Sequence, residues 1–211
     1  MNKKAFTLAE VLITLGIIGV VVAFTIPSFV SKYRKHEIET GLKKAYNTLQ
    51  NAIALSEIDN DSIATWNERD MDAKDFWSIY LKPYFKNAKL CDRLANCNGY
   101  ASVNYLKWHG QGSWNVMTGS DRLVFQLQDG TVIFWMKDVE ELAQTHTVII
   151  IDANGSRGPN RGGVDVFVFV KDYNKNKIIA EKGNCKNNVR FCTYEIMSNE
   201  WKFPKNYPHK I

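Results

Sequence analysis

One carboxylate, Glu10, stands in an otherwise apolar segment near the start of the chain. Lys3 and Lys4 precede it, and residues 11–30 carry no charge. A helix of that length spans about 30 Å, the thickness of the hydrocarbon core of a bilayer. A secretory signal cleaved after residues 21–23 and a plain single-span anchor are alternatives, but neither gains from a carboxylate near its start. Glu10 therefore indicates a function and predicts a charged partner.

A loop at residues 152–165 contains side chains that could hold a cation through oxygen. Glycines between these side chains let backbone carbonyls turn inward, and carboxylates and carbonyls are the ligands that Ca²⁺ prefers. The spacing differs from the twelve-residue helix-loop-helix pattern, and no Glu closes it. The same residue types build ordinary tight turns, which is the favoured interpretation, with calcium as the candidate cation. The oxygen-bearing residues are Asp152, Asn154, Asn160 and Asp165.

The chain has 4 cysteines in two local pairs, Cys91 with Cys97 and Cys185 with Cys192. Zinc sites usually show shorter spacings between paired cysteines, often with histidines nearby. An even number of cysteines behind a membrane segment favours disulfides in an oxidising compartment. Two locally closed loops are the simplest of the three connectivities that four cysteines allow. Four buried thiols in a reduced domain are the alternative.

Residues for catalysis are not recognisable in this sequence. His36, His109, His146 and His209 are scattered and stand in no known nucleophile or metal arrangement. We therefore assign no catalytic residue and expect a protein that is not an enzyme. The formal net charge of +5 is modest, and no dense block of Lys or Arg occurs, so nucleic-acid binding is not indicated.

The first helix is predicted to continue beyond the apolar segment, to about residue 56. Pro27 is expected to kink it. Polar residues become frequent after Pro27, while apolar residues recur at helical spacing, which is typical of an amphipathic helix with one face to bury. The recurring apolar residues are Tyr33, Ile38, Leu42, Ala45, Tyr46, Leu49, Ala52 and Ile53.

The rest of the chain predicts a short second helix and then a set of strands. Asp72 is the candidate N-cap of that helix, which has an aromatic face and ends near Pro83. Asp129 and Gly130 between two β-rich runs predict a hairpin over residues 122–136. Other strands are predicted at 102–108, 147–151, 164–170 and 177–181, with loop at 89–99 and mostly coil at 184–211. Consecutive strands after the helices indicate an α+β fold in which the first helix packs on an antiparallel meander.

Residues 3–10, Lys-Lys-Ala-Phe-Thr-Leu-Ala-Glu, together with the apolar helix, resemble the leader of type IV pilins and type II secretion pseudopilins. The resemblance implies that a prepilin peptidase cuts between Ala5 and Phe6 and methylates Phe6. It makes Glu10 the fifth mature residue, which serves assembly, and it implies a pilin-like fold with a long spine helix. Ala5 departs from the Gly that is usual in the family, and Ala9 from a larger aliphatic residue.

From the resemblance we expect a structural subunit, either a pseudopilin or a minor pilin, of a type II secretion or type IV pilus filament. The expected partners are other subunits, the peptidase, an assembly platform protein and the membrane. The expected organisation is a leader at 1–5, an assembly helix at 6–30, an amphipathic half at 31–56 and a globular domain at 57–211. That domain would lie outside the cytoplasm, attached to the bacterial inner membrane or carried in a filament. The alternative is a membrane-tethered binding domain that forms no filament.

Overall fold

The computed structural model describes residues 7–92, 96–97, 122–141, 144–172 and 175–211, with the backbone alone at 138–141 and 144–146. The predicted α+β fold is confirmed, because a long N-terminal helix precedes an antiparallel sheet and short helices. The chain divides into two compact units, Met1–His36 and Glu37–Lys210. The domain boundaries proposed from the sequence at residues 5, 30 and 56 stay predictions.

Helix α1 extends over Leu8–Asn60, with Pro27 inside it. It ends slightly beyond the predicted residue 56, where Asn60 Nδ2 donates to the Ser56 carbonyl at 3.2 Å and Asp61 takes a φ of 60°. Within the second unit the helix buries one face, as its apolar spacing predicts. The buried residues are Ile38, Leu42, Ala45, Leu49, Ala52, Ile53 and Ser56.

The second helical segment begins at the predicted N-cap. Asp72 accepts a hydrogen bond from the Lys74 N–H at 2.8 Å and starts α2, Ala73–Phe76. A π-helical turn, Trp77–Leu81, and a 3₁₀ turn, Lys82–Tyr84, continue the run. Pro83 lies in that last turn, so the segment ends where the sequence predicts.

A six-stranded antiparallel meander in the order β1-β2-β3-β4-β5-β6 forms the sheet. The sequence predicts loop over residues 89–99, and this prediction is wrong at Lys89–Leu90, which form strand β1. Pairing with Phe125 and Gln126, which are distant in sequence, orders these two residues. The predicted strand at 102–108 lies outside the described residues. The strands are β1 Lys89–Leu90, β2 Arg122–Gln126, β3 Val132–Glu141, β4 Gln144–Asp152, β5 Val166–Asp172 and β6 Lys177–Ile179.

Both faces of the sheet are buried over residues 123–126, 132–137, 147–152 and 166–171. On one face, Phe169 stacks on Tyr46 of α1 with ring centroids 5.2 Å apart, and Phe125 packs against Trp77 at 4.8 Å. Helix α1 approaches this part of the core closely at Gly41, where a Cβ atom would lie 2.6 Å from the Ala153 carbonyl oxygen. The opposite face contributes a mainly aliphatic cluster that also includes Phe134 and both cysteines of the first pair. Near-continuous apolar strands are typical of a sheet covered on both sides.

A third helix, α3, occupies Cys192–Ser198, where the sequence predicts a cysteine-closed loop followed by coil. The helix stabilises the edge of the sheet. Strand β6 pairs with the last residues of β5, and Thr193 Oγ1 accepts a hydrogen bond from the Val168 N–H, earlier in β5, at 2.9 Å. Seven residues give a weak periodic signal, so tertiary contact rather than local pattern explains this helix.

Candidate functional site

Glu10 closes a capping box at the start of α1. Its Oε2 atom accepts hydrogen bonds from both the backbone N–H and the hydroxyl of Thr7, each at 2.8 Å. In return, the Glu10 N–H donates to Thr7 Oγ1 at 3.3 Å. These reciprocal contacts are the ones that a Thr-x-x-Glu sequence makes before an apolar run. Thr7 is not among the functional residues predicted from the sequence, although the Thr-x-x-Glu spacing indicates its role as a helix cap.

The helix that follows Glu10 exposes its apolar side chains on every side throughout the first unit. Leu15 is 60% exposed and Phe24 is 79% exposed. Helix α1 contains a stretch long and apolar enough to cross a membrane. A helix that is apolar all round requires lipid or other helices around it. The side chains after Glu10 therefore supply a surface for an environment outside their own unit.

Ala5 and Phe6, the predicted cleavage and methylation residues, lie outside the described residues, as do Lys3 and Lys4. Their assignment stays a prediction from the sequence. Glu10, the predicted assembly residue, is described, and it forms hydrogen bonds with Thr7. The structure thus places one member of the predicted set at a helix start, preceding an exposed apolar surface.

The structure joins Cys91 to Cys97 and Cys185 to Cys192 by disulfide bonds. This is the local connectivity among the three that the sequence leaves open. All four cysteines are fully buried. The first bond belongs to the mainly aliphatic cluster on one face of the sheet, and the second joins the loop after β6 to the first residue of α3.

The loop at 152–165 brings its two acidic residues into contact with backbone N–H groups. Asp152 Oδ1 accepts from the Gly155 N–H at 2.9 Å. Asp165 accepts from the Asn160 N–H at 2.8 Å and from the Arg161 N–H at 2.7 Å, one bond on each oxygen. Such contacts are how Asp stabilises tight turns. The carboxylates therefore serve the loop as internal caps.

Burial shapes the electrostatics of this loop. It raises the pKa of the Asp165 carboxyl, and the backbone N–H groups of Arg161 and Asn160 oppose that rise. Two amide oxygens, Asn154 Oδ1 and Asn160 Oδ1, are buried without a hydrogen-bond partner among the described residues. These two oxygens are the acceptors that a cation or a water molecule would find. All four oxygen-bearing residues of the predicted set are thus placed in one loop.

A buried charge cluster includes Glu68, which belongs to the connection between α1 and α2, and it was not predicted from the sequence. Lys171 Nζ contacts Glu68 Oε1 at 2.8 Å, with both side chains almost fully buried. Thr147 Oγ1 donates to the other carboxylate oxygen, and buried Lys137 donates to the Met71 carbonyl. Burial raises the pKa of the Glu68 carboxyl, while the charge of Lys171 opposes that rise. No spacing signal links these residues, because they stand far apart along the chain.

Comparison with known families gives two matches. A model described as "Family of unknown function (DUF6613)" matches residues 28–183. A model of the prokaryotic N-terminal methylation motif matches residues 1–26. Neither the curated proteins nor the solved structures contain a match to this chain.

The methylation motif and the exposed apolar helix agree with each other. The resemblance of the first residues to type IV pilin and pseudopilin leaders is confirmed by the motif match. The chain is thus a pilin-like, single-pass membrane-anchored protein of the class that prepilin peptidase processes. Since the longer match extends over most of the sequence, the chain belongs to the family of unknown function DUF6613 and carries a prepilin-type N-terminal segment.

Proposed function

We propose that this protein is a structural, non-enzymatic subunit, a pseudopilin or a minor pilin, of a type II secretion or type IV pilus filament. One observation carries the proposal. Glu10, held in a capping box, precedes an exposed uncharged helix inside a methylation motif. A pure anchor has no use for a carboxylate at this point, because the charge opposes its transfer into lipid.

The N-terminal segment is processed before assembly. Prepilin peptidase cuts between Ala5 and Phe6 and methylates the new N-terminus. Lys3 and Lys4 keep the leader in the cytoplasm, in accord with the positive-inside tendency. The globular domain lies on the other side of the inner membrane, and the two disulfides support that placement because such bonds persist in oxidising compartments.

Assembly uses the charge of Glu10. In the filament, the Phe6 ammonium of a neighbouring subunit pairs with the Glu10 carboxylate, and apolar contacts between helices supply the adhesion. In a low-dielectric interior an unpaired carboxylate is heavily penalised, so the pair fixes the register of one helix against the next. In a free subunit, the capping box holds the Glu10 carboxylate at the start of its own helix, before the ammonium of a neighbour binds it.

The partners of this protein are other pilin-like subunits, prepilin peptidase and an assembly platform protein. The resemblance to pilins and pseudopilins implies these partners, and it also implies an ATPase that drives extraction of subunits from the membrane. The second candidate function is a membrane-tethered binding domain that forms no filament. The exposed apolar helix favours it equally, since an anchor needs the same surface.

Two substitutions of Glu10 separate these functions. Glu10→Ala removes both the charge and the acceptor of the capping box, whereas Glu10→Gln removes the charge and keeps an acceptor. If the carboxylate pairs with an ammonium, both variants stay inserted in the membrane and neither enters filaments. Recovery in sheared or co-purified filaments is the measurement, in a host that has the peptidase and the assembly machinery.

Intact mass supplies the control, since each variant must still begin at a methylated Phe6 for the comparison to concern assembly. Protease resistance of the globular domain shows that folding is unchanged. Wild-type assembly by both variants would contradict the filament proposal and favour the tethered domain. Assembly by Glu10→Gln alone would show that Glu10 acts as a helix cap and not as a charge.

A further inference from the structure

His209 lies beside the second disulfide in the described structure. One ligand atom from each of Cys185, Cys192 and His209 falls within 4.8 Å of the other two. The imidazole Nε2 atom is buried and has no hydrogen-bond partner among the described residues. A buried nitrogen without a partner is costly and calls for an explanation.

Gly163 makes room for this arrangement. A Cβ atom at that position would lie 2.8 Å from His209 Cδ2 and 2.9 Å from Cys192 Sγ. The φ of Gly163 is +73°, which other residues rarely adopt. Only glycine therefore allows the imidazole and the sulfur to come together over this part of the backbone.

The segments that carry these three side chains are held by contacts that do not depend on the disulfide. Tyr207 Oη donates to the Gly163 carbonyl at 2.6 Å, and its ring meets the His209 ring edge-on at 5.7 Å. The Cys185 N–H donates to Glu195 Oε1 at 3.1 Å, and Cys192 is the first residue of α3. The backbone frame around the two sulfurs should consequently survive reduction.

We propose that Cys185, Cys192 and His209 form a binding site for a thiophilic cation, Zn²⁺ or Cu⁺, when their disulfide is reduced. A dithiol reductant donates two electrons and two protons to the sulfur–sulfur bond, which gives two thiols and leaves the reductant as a disulfide. Cation binding then releases both thiol protons, because thiolates are the ligands. The imidazole nitrogen donates its lone pair as the third ligand.

The chemistry of the donor set selects this class of cation. Two thiolates and one imidazole suit Zn²⁺, which takes a water molecule as its fourth ligand, and they also suit three-coordinate Cu⁺. Hard cations such as Ca²⁺ prefer oxygen and are excluded by the same argument. The Cα atoms of the two cysteines lie 4.5 Å apart, so side-chain rotation is enough to part the sulfurs around a cation.

The first disulfide is a natural control. In the part of the chain that the structure describes, Cys91 and Cys97 belong to no comparable group with a histidine. After reduction, that pair offers only two soft ligands. The proposal thus predicts that the two reduced pairs differ in affinity for the same cation.

The test uses the full chain in detergent, reduced with a phosphine under anaerobic conditions and titrated with Cd²⁺ as the spectroscopic probe for Zn²⁺. We expect one equivalent to bind, with ultraviolet thiolate-to-cadmium charge-transfer absorption. The double variant Cys91→Ser/Cys97→Ser should retain this site, and Cys185→Ser/Cys192→Ser should lose it. His209→Gln should weaken binding at least about tenfold. His36→Gln, an exposed histidine on α1, is the matched control and should change nothing.

Three outcomes would overturn the proposal. One is equal binding by the oxidised chain, which would place the cation elsewhere. The second is wild-type affinity in His209→Gln, which would leave the imidazole without a role. The third is the absence of tight binding after reduction, whether circular dichroism finds the domain folded or unfolded, because the site requires a frame that outlasts the disulfide.

Discussion

Glu68 in the globular unit and Glu10 in the N-terminal unit are carboxylates that meet apolar surroundings, but the two are satisfied differently. Glu68, in the globular unit, is buried against Lys171 and Thr147 of its own chain. Glu10, in the N-terminal unit, accepts hydrogen bonds from Thr7 at the start of an exposed apolar helix. The globular unit therefore neutralises its charge internally. In the N-terminal unit, Thr7 donates hydrogen bonds to the Glu10 carboxylate, and under our proposal the N-terminal ammonium of a neighbouring subunit neutralises it.

The two units also differ in how their parts of α1 use apolar residues. Leu42 is fully buried, whereas Leu15 is 60% exposed on the same helix. Residues of the same type thus serve the protein's own core in one unit and an external environment in the other. What a side chain contributes to the free energy of unfolding should follow this division, and substitutions can test it.

The largest effect on folding is expected from Lys171→Met. It removes the ion-pair partner of Glu68, and loss of one partner of a buried ion pair destabilises a domain by about 3–5 kcal/mol. The double variant Glu68→Leu/Lys171→Met should recover most of that stability, because it removes both charges. Denaturant unfolding in detergent is the measurement. A single variant as stable as wild type would contradict internal neutralisation of Glu68.

The same variant should show a characteristic pH dependence. Burial already raises the pKa of the Glu68 carboxyl, and loss of Lys171 should raise it further. The folded chain then holds a proton that the unfolded chain has released, so stability falls as the pH rises through that interval. The deficit of Lys171→Met relative to wild type should narrow as the pH is lowered from about 7 to about 5. A deficit independent of pH would show that packing, and not charge, is lost.

Leu42→Ala should cost the globular unit about 3 kcal/mol in free energy of unfolding, since a fully buried leucine leaves a cavity. Leu15→Ala should leave the unfolding of that unit unchanged, because Leu15 contributes nothing to its core. Thermal and denaturant unfolding of both variants under the same conditions give the comparison. Equal effects would mean that the two parts of α1 do not divide their roles in this way.

The fold could be predicted where the signal is local. The spacing of apolar residues predicts α1, and Asp129 with Gly130, whose φ is +93°, predicts the β2–β3 hairpin. Strand β1 could not be predicted, because two residues carry no periodicity and pairing with β2 orders them. The Glu68–Lys171 pair could not be predicted either, since the two residues are far apart in sequence and folding alone brings them together.

The candidate site could be predicted in part. The charge of Glu10 within an apolar run is visible from the sequence, as is the set of oxygen-bearing residues in the 152–165 loop. The sequence does not show which groups these carboxylates accept hydrogen bonds from. Both carboxylates of the loop accept from backbone N–H groups, and this depends on turn conformations such as the positive φ of Asn160 and Gly155.

We therefore propose that the 152–165 loop is stable without calcium. Asp165→Ala should destabilise the globular unit by about 2 kcal/mol, because it leaves the N–H groups of Asn160 and Arg161 without their acceptor. Calcium or a chelator should leave the melting temperature of the wild type unchanged. A calcium-dependent rise in wild type that is lost in Asp165→Ala would instead identify a cation site.

The smallest effect is expected from Thr7→Val, which tests how the N-terminal unit holds its carboxylate. The substitution removes the hydroxyl, which donates to Glu10 Oε2 and accepts from the Glu10 N–H, and it keeps the backbone N–H that donates to the same oxygen at 2.8 Å. Because one of the two bonds to the carboxylate remains and the charge is untouched, filament recovery should fall less than about tenfold. Unfolding of the globular unit should not change, since Thr7 lies outside that unit. A loss as complete as that of Glu10→Ala would mean that the cap, and not the charge, decides assembly. Glu10 would then be satisfied within its own chain, as Glu68 is, and the difference between the two carboxylates would disappear.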